Sequence, residues 1–390
     1  MPTRRLKSLA FFVILALVVP AWLAGSPLAA SPPLDKQIFP EARFERGELK
    51  YIHGLPVLIV QGTPAEIGRQ EAVLTADGLK AVSDYPKRLL ELLGRKQQWP
   101  QFVAMAERLW PQSSLEHREE LQAFMEQSGT DRGVVLVGNM IMDLHRGTFA
   151  CSSLIVEPNK SATKQPLFGR NLDFYPLGLL DKHGLVTVYR PKGKHAFVSI
   201  GFPGILGCLS GMNDAGLALA VHEVYLAADG APMFNPKGMP YTFCFRQILE
   251  ECASVDDAQR LLRATERTTM LNLAVCDRHG GTVFELTPRT VAVRHGAGGI
   301  CVCTNHFRTW ELALWPFCHR YETLSRAAAM PVITVADVAA KLDEANQERL
   351  TVQTMIFEPG PLVLHLAMGN CPSSKHPLER LPLAKLLAQP

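Results

Sequence analysis

The feature that most constrains the fold of this chain is a change of texture at Cys151. From Cys151 onward, short apolar segments alternate with turn residues, at 151–156, 167–172, 185–189, 197–200, 217–224, 272–276, 283–286, 291–294, 300–304, 352–357 and 362–367. Their lengths suit strands, and turns such as Asn213-Asp214-Ala215-Gly216 suit antiparallel hairpins. Helical stretches interrupt them at 240–252, 255–264, 317–329 and 335–345. Ser254 with Asp257 and Thr334 with Asp337 stand as cap pairs for the second and fourth. Strands in blocks with helices between the blocks predict an α+β layered fold, and two sheets covered by helices fit this order. Before Cys151 the reading is mostly helical. A short strand over 56–60 leads to Thr63-Pro64-Ala65-Glu66, which has the residues of a capping box with proline at the first helical position. Further helices are expected over 113–127, ending before Gly129, and over 134–144.

Apolar residues make up 47% of the 390, enough to bury a sizeable core, and the formal net charge is only +3. Lys and Arg form no stripe, so nucleic acid is not an expected partner. The N-terminus carries Arg4, Arg5 and Lys7, then an apolar run from Leu9 to Ala24, then Ala29, Ala30 and Ser31 before two prolines. Charged, apolar, small is the order of a secretory signal, and the run is short of the roughly 20 residues that span a bilayer. The expected organisation is a signal peptide over 1–30, a mostly helical segment over 31–150 and a strand-rich segment over 151–390. The expected location is periplasmic, extracellular or a lysosome-like lumen, with no stable membrane span after signal removal.

Nine cysteines, an odd number, leave at least one thiol unpaired in an exported chain. No spacing resembles a zinc knuckle or a redox pair, and no metal site is expected. Common hydrolase signatures are absent too. Ser210 lies in Gly207-Cys208-Leu209-Ser210-Gly211, which is not a nucleophile elbow, and His222-Glu223 has no second histidine in register. The phosphate-binding glycine loops are missing.

What remains is Cys151, at the head of the strand-rich segment behind Gly147-Thr148-Phe149-Ala150. An ordinary cysteine thiol needs help to become a thiolate. If the Ala150–Cys151 bond is cut, Cys151 gains an α-amine whose pKa of about 7.7–8.0 suits a general base. One residue then supplies nucleophile and base. The thiol itself can make the cut by attacking the Ala150 carbonyl. A buried core cysteine is the plainer reading. Two clusters weigh against it. Gly169-Arg170-Asn171-Leu172-Asp173 returns Arg170 and Asp173 to the Cys151 end if it forms a hairpin with 151–156. Thr304-Asn305-His306-Phe307 ends an apolar strand where Asn305 can offer an amide donor to a developing oxyanion.

With these motifs in hand, the chain resembles the penicillin acyltransferase-like cysteine N-terminal-nucleophile hydrolases, relatives of acid ceramidase and the bile salt hydrolases. The likeness spans roughly residues 45 to 370. It rests on Gly62-Thr63-Pro64-Ala65-Glu66-Ile67-Gly68, Cys151-Ser152-Ser153, Gly169–Asp173, Phe202-Pro203-Gly204 leading to Gly211–Leu217, Thr304–Phe307 and Arg320-Tyr321-Glu322-Thr323-Leu324. The resemblance implies a four-layer αββα sandwich with two antiparallel sheets. It implies Cys151 as nucleophile and new N-terminus, Arg170 against the thiol, Asp173 holding the amine, Asn305 as oxyanion donor and Arg320 orienting the site, with Asn213 and His222 toward the substrate. The chain departs at His222, where relatives often have Asn, and at Ala150, where they often have Gly. The implied activity is cleavage of a small non-peptide amide with an apolar acyl group, through a thioester, by hydrolysis or acyl transfer. No cofactor is implied, and the two self-cleaved fragments stay associated. A papain- or transglutaminase-like protease using His222, His295 or His306, and a non-catalytic binding protein, stay open as alternatives.

Overall fold

A computed structural model describes residues 38–145, 150–314 and 317–388. The expected signal peptide over 1–30 lies outside the described residues. The first strands are β1 (Ala42–Phe44), β2 (Gly47–Ile52) and β3 (Leu55–Gly62). Helices α1 (Pro64–Leu74), α2 (Ala76–Val82), α3 (Tyr85–Leu92), α4 (Trp99–Leu109), α5 (Leu115–Ser128) and α6 (Arg132–Leu144) follow. Next come β4 (Ala150–Val156), β5 (Leu167–Asp173), β6 (Leu185–Pro191), β7 (Phe197–Gly201), β8 (Ser210–Asn213) and β9 (Ala218–Glu223). Helices α7 (Tyr241–Glu251) and α8 (Val255–Ala264) precede β10 (Leu271–Cys276), β11 (Gly281–Leu286), β12 (Val291–His295) and β13 (Ile300–Cys303). The chain ends with α9 (His319–Ser325), α10 (Val335–Glu344), β14 (Thr351–Glu358), β15 (Val363–Met368), β16 (Glu379–Pro382) and α11 (Ala384–Leu387).

Two sheets form. The larger runs β1-β2-β3-β6-β7-β8-β9-β10-β11-β12 and the smaller β13-β4-β5-β14-β15-β16. All pairings are antiparallel except β3 with β6, which is parallel from Val57–Val186 to Gly62–Pro191. Strand alternation sorts side chains into layers. Val57 and Ile59 of the large sheet meet Ile155, Phe168, Met355 and Phe357 of the small sheet in one core. Their neighbours Leu58 and Val60 point the other way, into a core with Ile67, Phe124, Val137 and Ile248. On the far side of the small sheet, Leu154, Val156 and Ile356 pack under Leu324, Val338 and Leu342. The result is helix, sheet, sheet, helix, the four-layer sandwich expected.

Local chemistry explains the helix starts. Thr63 and Glu66 form the reciprocal capping box in front of α1, and Thr334 and Asp337 form another in front of α10. Gly129 closes α5 in the left-handed conformation at φ 63°. The segment before Cys151 holds more strands than the single one expected over 56–60. Its described residues are mostly helical, and it supplies three strands to the large sheet where one was expected. Residues 210–213 form the short strand β8, which ends on the Asn213 expected to open a turn, and helices α2 to α4 and strand β16 were not anticipated.

Candidate active site

The small sheet builds the site by register. β4 pairs with β5 so that Cys151 faces Leu172, Ser153 faces Arg170 and Ala150 faces Asp173. Directly paired residues share a face, so Cys151, Ser153 and Arg170 point toward the large sheet and Asp173 points to the opposite face. On the other edge, β13 pairs with β4 only from Ser153 to Val156. The N–H of Cys151 therefore lies beyond the ladder, and a side chain takes the place of a strand: it donates to Asn305 Oδ1 at 2.8 Å.

Arg170 is fully buried. Its Nη1 donates to the Leu209 and Val221 carbonyls at 3.1 and 3.2 Å, and its Nη2 lies 3.5 Å from the Cys151 sulfur. Those carbonyls belong to the large sheet and the loop before β8, so the guanidinium bridges the two sheets beside Cys151. Arg320, from α9, donates from Nη1 to the Cys151 carbonyl and from Nη2 to Asn305 Oδ1 at 2.9 Å. The same Nη1 stands 3.7 Å from Asp173 Oδ2. Asp173 Oδ1 accepts from the Thr351 hydroxyl at 2.6 Å, whereas buried Oδ2 has no hydrogen-bond partner. Five expected residues, Cys151, Arg170, Asp173, Asn305 and Arg320, thus meet in one cluster. Thr351 joins them unannounced, as the first residue of an ordinary apolar strand.

Electrostatics follow from burial. Burial pushes the Cys151 thiol up to about 11 against the pull of Arg170. Burial also raises Asp173, to about 6, against Arg320, Thr351 and Arg170. His222 is held well below its ordinary value by burial and by the charges of Arg170 and Arg320, so its imidazole is neutral. Its Nε2 meets the hydroxyl of Ser153, two residues along β4 from Cys151, at 2.8 Å.

Two expected roles are revised by geometry. Asn305 presents its oxygen, not its amide nitrogen, to Cys151. Both Cys151 N and Arg320 Nη2 donate to that oxygen, while Nδ2 donates to the Glu223 carbonyl at 2.8 Å. Asn213 does not join the cluster. Its Nδ2 donates to the Leu249 and Cys252 carbonyls at 2.9 and 2.7 Å, and its Oδ1 accepts the Leu217 N–H at 2.9 Å. It sits four residues along the chain from Leu209, about 13 Å in a strand, and acts as the structural asparagine of the turn.

Beside the cluster lies an apolar cavity of about 80 Å³, walled by α2, α3 and α6 and lined by Leu79, Tyr85, Val135, Phe174, Phe202 and Leu209 among others. Phe174 follows Asp173 and Leu209 supplies a carbonyl to Arg170, so the cavity shares its wall with the site. Among the described residues no group of His, Cys, Asp and Glu could hold a metal ion. No helix among them is long and apolar enough to cross a membrane.

Residues 159–352 match the family described as acyl-coenzyme A:6-aminopenicillanic acid acyl-transferase. The match begins eight residues after Cys151 and includes Arg170, Asp173, Asn305 and Arg320. The chain is 27% identical over 150 residues to an uncharacterized protein of Archaeoglobus fulgidus, covering 37% of this chain and 24% of that one. It is 27% identical over 159 residues to protein dcd1A of Dictyostelium discoideum, covering 38% of this chain and 35% of that one. The alignments thus span about a quarter and a third of these relatives' lengths. Among solved structures, the Caenorhabditis elegans ortholog of N-acylethanolamine-hydrolyzing acid amidase aligns at 18% identity and TM-score 0.43, over 54% of this chain and 93% of that one. A conjugated bile acid hydrolase variant from Clostridium perfringens aligns at 14% identity and TM-score 0.47, over 60% of this chain and 93% of that one.

Proposed function

We propose, from the match of residues 159–352 to the acyl-coenzyme A:6-aminopenicillanic acid acyl-transferase family, that the chain is an amidohydrolase or acyltransferase that activates itself by cutting between Ala150 and Cys151. The observation that carries this reading is that both reactive ends of Cys151 are held by side chains, its nitrogen by Asn305 at 2.8 Å and its sulfur by Arg170 at 3.5 Å. Any buried N–H needs a partner, but a cysteine serving only as core filler needs no buried guanidinium at its sulfur.

In the first step the Cys151 sulfur attacks the Ala150 carbonyl carbon, and the peptide bond gives way to a thioester. Water hydrolyses the thioester, leaving a carboxylate on Ala150 and a free α-amine on Cys151. That amine inherits the acceptor Asn305 Oδ1, and the unpartnered Asp173 Oδ2 gains a donor nearby. In turnover the amine takes the thiol proton, the thiolate attacks the substrate amide carbon, and the leaving nitrogen departs with a proton. Arg170 and Arg320 supply fixed positive charge where the thiolate and the tetrahedral oxyanion develop. Water, or a second amine, then takes the acyl group from sulfur. The apolar cavity beside the cluster favours a substrate with an apolar acyl group. Histidine is not needed as base: His222 is neutral and engaged with Ser153.

A denaturing gel and mass analysis of purified protein test this reading. Two fragments are expected, one ending at Ala150 and one beginning at Cys151, and Cys151→Ala should stay uncut and inactive. An intact wild-type chain that hydrolyses amides at full rate overturns it.

A further inference from the structure

A row of polar residues crosses the face of the large sheet that meets the small one. β9, β10 and β11 pair so that His222 stands beside Asn272 and Asn272 beside Glu285. Directly paired residues share a face, and all three side chains are fully buried. Polar groups in such a layer need partners, and these find theirs in the small sheet and in the chain that leaves it. His222 reaches Ser153 of β4 at 2.8 Å. Glu285 accepts the Arg308 N–H at 2.9 Å, and the Thr309 N–H and hydroxyl at 2.9 and 2.8 Å. It also meets Arg294 Nε at 2.8 Å. Between them, Asn272 Nδ2 donates to the Thr304 carbonyl at 2.9 Å and to the His306 carbonyl at 3.0 Å. Both partners are acceptors only, so the amide nitrogen, and not the oxygen, must face them. Asn272 Oδ1 has no hydrogen-bond partner, so both bonds of the side chain go to this one segment.

We propose that Asn272 is a positioning residue for the reaction at Cys151: it clamps the backbone on both sides of Asn305 and so aims Asn305 Oδ1 at the Cys151 nitrogen. Asn305 lies between Thr304 and His306, two residues beyond Cys303, where the ladder of β13 with β4 ends. The ladder does not hold it. Its side chain reaches Cys151 N, Arg320 Nη2 and the Glu223 carbonyl only while the backbone that carries it stays in place. Glu285 fixes the next part of the same segment at Arg308 and Thr309. Arg170 reaches from the small sheet to the large one beside Cys151, and Asn272 reaches back the other way. The effect on turnover rests on the reading of Cys151 above; the clamp on Asn305 does not.

The test replaces Asn272 by leucine, which repeats its branched outline without the donor, and uses Asn272→Ala if Asn272→Leu folds poorly. kcat is expected to fall about tenfold to a hundredfold, the scale of a misplaced reacting group, with KM little changed. The same change in an Asn305→Ala background should cost nothing further, because the two residues act through one contact. In the uncut Cys151→Ala chain, hydrogen exchange of the amide at position 151 should speed up when Asn272 is replaced, while that of Leu154, inside the β4 ladder, stays as it was. A wild-type kcat in Asn272→Leu, or a loss that adds to that of Asn305→Ala, overturns the role. Unchanged exchange at position 151, or faster exchange at Leu154 as well, overturns the clamp. If the wild-type chain cleaves no amide, the exchange arm alone decides: faster exchange at position 151 upholds the clamp, and only the reading of Cys151 falls.

Discussion

Asp173 sets two opposing trends with pH. Burial lifts its carboxyl to about 6, so its native pKa lies above its unfolded one. A raised carboxyl favours the folded state fully below its unfolded pKa, and that contribution is lost as pH climbs through about 6. On the proposed mechanism activity runs the other way, because only the ionised form can hold Arg320 and accept the amine that cleavage would free. kcat/KM is therefore expected to fall as pH drops through about 6. Asp173→Asn should lose most activity and this acid limb, yet withstand more denaturant than wild type at pH 8. A wild-type profile flat from pH 5 to 8 would remove Asp173 from the site. At this scale much was legible beforehand. The polar run Arg170 to Asp173 among apolar neighbours needs partners, and the hairpin register supplies them. Asn213 misled because an asparagine that binds its own turn and one that binds a substrate look alike in sequence.

Helix α1 shows why one residue of a motif can be glycine for packing rather than for chemistry. A Cβ on Gly68 would collide with the Glu120 carbonyl oxygen, so α1 and α5 touch backbone to backbone there. Gly169 does the same for β5, where a Cβ would strike Val338 of α10. Gly68→Ala is expected to destabilise the fold by about 1–3 kcal/mol without touching Cys151 chemistry. A denaturation midpoint equal to wild type would show that the helices can part at no cost. Elements with strong local signals were readable: the cap pairs at Thr63, Ser254 and Thr334 mark helix starts that the structure reproduces. Short or weakly patterned ones were not. β8 is four residues, Ser210-Gly211-Met212-Asn213, and becomes a strand only because β7 and β9 flank it. β16 pairs along one edge, and its residues Glu379 and Arg380 look like a loop.

The whole molecule is tied across the Ala150–Cys151 boundary by many contacts, two of them extended. One is a buried ionic network. Arg246 of α7 holds both carboxylate oxygens of Glu120 at 2.5 and 2.6 Å and meets Glu250 at 2.8 Å, while Glu250 meets His117 at 3.0 Å. Glu120 and His117 precede the boundary, and Arg246 and Glu250 follow it. Removing one partner from such a buried pair typically costs about 3–5 kcal/mol, because the other charge is stranded. The second tie is the parallel ladder of β3 with β6, inside the ten-stranded sheet. That ladder changes the molecularity of unfolding once the boundary is cut. An uncut chain melts in a first-order process, and its Tm is indifferent to dilution. A cut chain must release β3 from β6 as separate molecules, so its Tm should fall as protein concentration falls. Refolding then becomes a second-order search between two polypeptides. The uncut Cys151→Ala protein should refold after denaturation at any concentration, whereas a wild-type protein cut as proposed should recover only when its two halves are concentrated enough to find each other. Equal recovery for both at high dilution would mean that the halves never separate.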